Sequence, residues 1–148
     1  MDIITDSREK KKMFKKGVVQ KLDVGDYSTN LLLNKFHIER KSSIDFYGTI
    51  VQGHKRFVRE LERAKKSNIT MPIYVECSRG DFVMKRFPMG FKLKMRPGTL
   101  IKIIDTMTEK YGLEIVWCEN RDNMRLQMIK RLKEEEKREK EIQANRQV

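Results

Sequence analysis

Three groups of residues stand at spacings that suit phosphodiester hydrolysis: a Gly25-Asp26 pair, then Glu39-Arg40-Lys41, with Asp6 upstream. Side chains alternate along a strand, so Glu39 and Lys41 share one face and Arg40 takes the other. Asp26 starts the strand before, and a tight return brings its carboxylate beside Glu39. Two carboxylates are hard oxygen donors that suit Mg²⁺ or Mn²⁺, ions that keep several waters. Such an ion neutralises charge developing on a phosphate and activates an attacking water. Lys41 then stands beside that water, to orient it, stabilise charge or act as a base. Asp6, at the end of the first apolar run, is a third candidate carboxylate.

The elements that position these residues are legible as six short strands and several helices. Asp2 to Thr5, Val18 to Leu22, Tyr27 to Leu33, Lys35 to Arg40, Met71 to Glu76 and Glu114 to Cys118 read as strands. The second to fourth, with tight links, predict an antiparallel meander. The basic stretch Lys10 to Lys16 around Met13 and Phe14 predicts a short helix stopped by Gly17. Ser42-Ser43-Ile44-Asp45 matches a capping box and starts a helix, which Gly48 and Gly53 divide in two. The segment Ser78 to Pro97 breaks every pattern and reads as a long functional loop carrying Lys85, Arg86, Lys92, Lys94 and Arg96. Phe82, Phe87 and Phe91 interleave with these cations, more as packing onto the core than as base-stacking platforms. Thr99 predicts a helix cap with a stop at Gly112. A last helix from about Asp122 turns almost wholly charged.

At 148 residues and 39% apolar content the chain supports one core. The expected organisation is a domain over 1–120, with a charged helix over 121–148 within it or appended to it. A formal charge of +12, from 33 basic and 21 acidic residues, favours a polyanionic partner. No apolar run reaches membrane-spanning length and no signal-peptide pattern opens the chain, so an intracellular, soluble protein is expected. Cys77 and Cys118 lack the neighbours of a zinc site and read as small buried residues. His37 and His54 stand in no recognisable catalytic arrangement.

In order, Gly25-Asp26, Glu39-Arg40-Lys41 and Asp45 resemble the G-D-x(n)-E-R-K-x(3)-D signature of XPF-type structure-specific endonucleases. Asp6-Ser7-Arg8-Glu9 is similar to that family's D-x-R-E segment, and Val24-Gly25-Asp26-Tyr27 to its V-G-D-Y. Arg56-Phe57 with Glu60 resembles the family's arginine-containing helix. The likeness spans Ile3 to Glu76 and reaches Trp117 more loosely. It implies an α/β fold of the restriction-endonuclease type, PD-(D/E)xK, with a central mixed sheet of about six strands flanked by helices.

It further implies metal binding by Asp26 and Glu39, with Asp6 as an additional ligand, and catalysis by Lys41 with support from Arg40 and Asp45. Arg8 and Arg56, with the loop cations, are the candidate DNA contacts. The implied activity is a Mg²⁺- or Mn²⁺-dependent endonuclease on branched or flapped DNA, in repair, recombination or replication, working as a homodimer. A non-catalytic scaffold or an RNA-directed nuclease of the same fold are the alternatives. The family's helix-hairpin-helix domain is not expected after Trp117.

Overall fold

The computed structural model describes residues 1–87 and 93–147. Its strands are β1 (Ile3–Asp6), β2 (Val18–Gln20), β3 (Tyr27–Thr29), β4 (Glu39–Ser42), β5 (Ile73–Glu76) and β6 (Ile115–Trp117). Its helices are α1 (Ser43–Val51), α2 (His54–Lys66), α3 (Arg79–Val83), α4 (Pro97–Tyr111) and α5 (Arg121–Arg146). The strands form two ladders, β2-β1-β3 and β4-β5-β6. A seam joins them where Tyr27 and Ile38 bridge antiparallel, with Ile38 N–H donating to Tyr27 O at 2.8 Å. The result is a mixed α/β architecture of six strands, built as two small sheets rather than one continuous sheet.

Of the expected meander only the antiparallel return from Tyr27 to Ile38 forms. β1 lies between β2 and β3, parallel to the first and antiparallel to the second. Parallel strands need a long crossover, and residues 7–17 supply it as irregular chain, not as the predicted helix. Crowded lysines oppose a helix there, while the core draws Met13 and Phe14 inward: both are buried, and Phe14 meets the Tyr27 ring edge-on at 5.4 Å. Gly17 ends this crossover at φ +111°, where a Cβ would sit 2.3 Å from Ile3 O. Strand β3 also stops early. Residues 30–35 fold into turns, with Lys35 N–H donating to Leu32 O at 2.8 Å and Asn34 in the left-handed region at φ 63°.

β5 is buried on both faces, which explains its continuous apolar sequence. Ile73 and Val75 face a core shared with α1, α3 and α4, including Phe46, Phe82, Leu100 and Met107. Tyr74 faces the other side, where Met124, Met128 and Leu132 of α5 pack beside Phe36 and Ile38. Past Leu132 the α5 helix has no buried residue. Part of the expected loop is helical: Ser78 caps α3 by accepting the Asp81 N–H at 3.1 Å. Phe87 stacks on buried Phe82 at 5.6 Å, so these two rings pack the core; Phe91 lies outside the described residues. Helix α4 starts two residues before the predicted Thr99 cap, because Pro97 suits a first helical position. It stops at left-handed Gly112. Cys77 and Cys118 are free and buried. No helix among the described residues is long and apolar enough to cross a membrane.

Candidate active site

A cleft of about 720 Å³ opens where the seam between the two ladders meets α1 and α2. Asp26, Glu39, Arg40, Lys41, Asp45 and Arg56 all border it, joined by Glu9 and Glu60. Glu39 and Lys41 reach it from β4. Asp26 reaches it from the turn before β3, held by its own N–H donating to Ile38 O at 2.8 Å and by its Oδ2 accepting the Arg40 N–H at 2.7 Å. The β4 backbone therefore fixes the carboxylate that the Glu39 side chain faces.

Gly25 makes that turn possible. Its φ is +77°, and a Cβ there would lie 2.9 Å from His37 Cβ and 3.3 Å from Ile38 O. His37 is buried and braces the same turn, donating from Nδ1 to Val24 O at 2.7 Å while Nε2 accepts the Asn34 N–H at 3.0 Å. Burial lowers its pKa, which favours this neutral tautomer. Gly25→Ala is expected to cost about 2–4 kcal/mol of stability from the left-handed backbone and the clash. Chemical denaturation checks this, and a cost under about 0.5 kcal/mol would contradict it.

The electrostatics of the cleft are acidic. Burial, together with the neighbouring Asp26 and Glu60 carboxyls, holds Glu39 well above the usual carboxylate range. Burial also raises Asp26, against the lowering effect of the bonds from Glu39 and the Arg40 amide. Of the two carboxyls, Glu39 is raised the further and is the readier to hold a proton. Lys41 lies close enough to favour the Asp26 anion. No group of three or more histidine, cysteine or carboxylate side chains among the described residues is arranged to hold an ion. The Asp26 and Glu39 carboxyls could hold a divalent cation: they offer two hard oxygens, repelling one another when ionised, in a cleft wide enough for waters.

Asp6 stands apart from these two. Its carboxylate accepts the Leu22 N–H at 2.7 Å, the Arg8 N–H at 3.2 Å and Arg8 Nε at 2.9 Å, and it does not border the cleft. Burial opposes its charge, but the Arg8 side chain and the two amides outweigh that and lower its pKa. A lowered value contributes stability above the unfolded pKa that is lost as pH falls through the folded one. Asp6→Ala strands the buried Leu22 amide and is expected to cost about 2–3 kcal/mol. Thermal melts of the variant at neutral pH check it; a melting temperature equal to wild type would exclude this bracing role.

Ser42 caps α1 by accepting the Asp45 N–H at 3.2 Å, so the serine half of the capping box forms while Asp45 borders the cleft. Arg40 is held by Glu9, with Nε to Oε2 at 2.9 Å, and approaches Glu76 at 3.5 Å. The Tyr27 hydroxyl donates to the same Glu9. Glu9 and Glu60 were not among the expected site residues. Glu9 had a signal as the last residue of Asp6-Ser7-Arg8-Glu9, and Glu60 as the i+4 neighbour of Arg56 on one helical face.

Among the expected DNA contacts that lie in the described residues, only Arg56 borders the cleft. Arg8 is bonded to Asp6 and to Leu22 O at 2.7 Å. Lys85 Nζ donates to Leu93 O at 3.1 Å, Arg86 pairs with Asp81 at 3.1 Å, and Arg96 precedes the first turn of α4. Lys94 is exposed. Lys92 lies outside the described residues.

The ERCC4 domain family matches residues 5–132. Among solved structures, XPF from Aeropyrum pernix superposes with a TM-score of 0.70 at 18% identity, covering 97% of this chain and 69% of that one. XPF from Aeropyrum pernix in complex with DNA superposes with a TM-score of 0.66 at 21% identity, covering 88% and 62%. Both likenesses are of fold. Comparison with curated proteins gives no match.

Proposed function

The chain belongs to the ERCC4 domain family, and from that membership and the acidic cleft we propose that it is a metal-dependent endonuclease acting on branched or flapped DNA. The observation that carries this reading is the pairing of buried Glu39 with half-buried Asp26, with Lys41 on the same wall of the cleft. A scaffold without activity has no need to hold two carboxyls so close that both their pKa values are raised.

In this reading Asp26 and Glu39 hold Mg²⁺ or Mn²⁺. The bound ion supplies charge neutralisation at the scissile phosphate and a more acidic water. Lys41 orients the attacking water and stabilises negative charge on the phosphate. Arg56, across the cleft on α2, holds a non-bridging phosphate oxygen. Arg40 acts through Glu9, fixing the β4 backbone whose amide holds Asp26. Asp6 serves by bracing the β1 end through Arg8 and Leu22, not as a ligand. The loop cations Lys85, Arg86, Lys92, Lys94 and Arg96 then contribute charge to DNA binding at a distance from the cleft.

The same reading takes residues 1–120 as the nuclease domain with the charged helix attached, and the working form as a homodimer in repair, recombination or replication. The XPF structure determined with DNA supports DNA as the substrate class. The test is a cleavage panel of flapped, branched, linear duplex and RNA substrates with Mg²⁺ or Mn²⁺. Cleavage of branched or flapped DNA ahead of the others is expected; preferential cleavage of RNA, or of nothing, overturns the substrate assignment. Sedimentation over a dilution series checks the dimer, and a monomer throughout refutes it.

A further inference from the structure

The geometry points to a second phosphate site next to the cleft, formed by Lys21 and Arg63 with Arg8 and Ser67 around a hollow of about 340 Å³. The inference rests on the nuclease reading only for its ligand: an internal phosphodiester of the bound strand, about one or two phosphates from the one cleaved.

Charge distinguishes the two places. The cleft is bordered by five carboxylates and three cations, so an anion enters it only with metal. Among the described residues, the hollow is bordered by three cations and a single carboxylate, Asp23. Arg8 is committed to Asp6, but Lys21 and Arg63 form no ion pair among the described residues and both are exposed. A phosphate there needs no metal. Ser67 adds a hydroxyl that can donate.

Position ties the hollow to the cleft. Three separate segments pass from one to the other within a few residues: Arg8 to Glu9, Val24 to Asp26, and Arg63 to Glu60 along α2. Arg8 also feels the charges of Asp26 and Glu60. Extended chain covers ~7 Å over two residues, and α-helix covers ~10 Å from Glu60 to Ser67. Successive phosphates of one duplex strand are displaced around the helix as well as by the ~3.4 Å axial rise, so this span is about one or two steps. A strand with its scissile phosphate at Asp26 and Glu39 thus lays a later phosphate over Lys21 and Arg63, which sets its register.

The test compares wild type with K21Q/R63Q, whose changed residues are exposed and unpaired, so the fold is retained. Affinity for a flapped duplex is measured in EDTA, with single methylphosphonate linkages scanned along each strand. Wild type is expected to lose about fivefold or more at one internal linkage. The variant is expected to bind unmodified DNA correspondingly more weakly, to ignore that linkage, and to show a salt slope smaller by about one phosphate contact. Wild-type affinity in the variant, or the same methylphosphonate sensitivity in both, overturns the site. Loss on removing a terminal phosphate instead of an internal charge overturns the internal assignment. Cleavage assayed separately keeps the two readings distinct: no cutting with the binding differences intact sinks the nuclease and leaves the site, whereas cutting with unchanged binding sinks the site alone.

Discussion

Glu39→Gln is expected to extinguish cleavage and, in the absence of metal, to make the protein harder to melt. Glu39 is 6% exposed and faces Asp26 and Glu60. Its folded pKa is raised, so the stability it contributes is fully present below its unfolded value and is lost as pH rises through the folded one. At neutral to alkaline pH the wild type therefore carries a destabilising buried charge or the cost of keeping a proton. Glutamine keeps the shape, donates to Asp26 and removes that cost.

A gain of about 1–2 kcal/mol corresponds to a melting temperature higher by ~2–8 °C in EDTA at pH 8. Cleavage with Mg²⁺ is expected to fall by about a thousandfold or more, because a metal-holding oxygen is lost. Metal binding stabilises only the form that binds it. Mg²⁺ should therefore raise the melting temperature of wild type and leave that of the variant nearly still. A variant that melts lower than wild type in EDTA, or that still cuts, would contradict the assignment.

Lys41→Ala is expected to reduce the rate of cleavage by about 10²–10⁴-fold and to change affinity for the uncleaved DNA by less than threefold or so. Lys41 shares the Glu39 face of β4 and borders the cleft beside Asp26. In the proposed reaction its charge is delivered to the reacting phosphate, where it counts most in the transition state. On a chain of net charge +12, one lysine among many contributes little to overall DNA attraction. Single-turnover rates and anisotropy titrations in a non-supporting metal separate the two effects. A variant that loses binding and cleavage in equal measure would make Lys41 an ordinary phosphate contact.

The pairing of Asp26 with Glu39, and Lys41 beside them, was readable because a two-residue strand period and a glycine turn are local features. What resisted reading is long-range. Nothing near Val18 or Tyr27 says that β1 will lie between them, and this insertion breaks the first link of the meander. The five lysines between Lys10 and Lys16 look like a helical face, yet buried Met13 and Phe14 are claimed by a core completed more than a hundred residues later by Met124 and Met128. Asp6 looks like a third ligand until the fold brings Leu22 to its carboxylate. Glu60 enters the cleft only because the chain breaks after α1 at Gly53 and sends α2 along its edge. Each of these is a matter of which distant segments meet, and local pattern carries little of that.

The most direct measurement is single-turnover cleavage of a flapped DNA duplex, mapped at nucleotide resolution, by wild type and Asp26→Asn with Mg²⁺ or with chelator. Asparagine preserves the oxygen that accepts the Arg40 amide while removing the charge that holds the ion. Wild type is expected to cut at defined positions near the junction only when metal is present, and Asp26→Asn to bind the same DNA without cutting it. Cutting that survives chelation, or that Asp26→Asn leaves undiminished, would contradict the claim that the paired carboxylates of this cleft perform the hydrolysis.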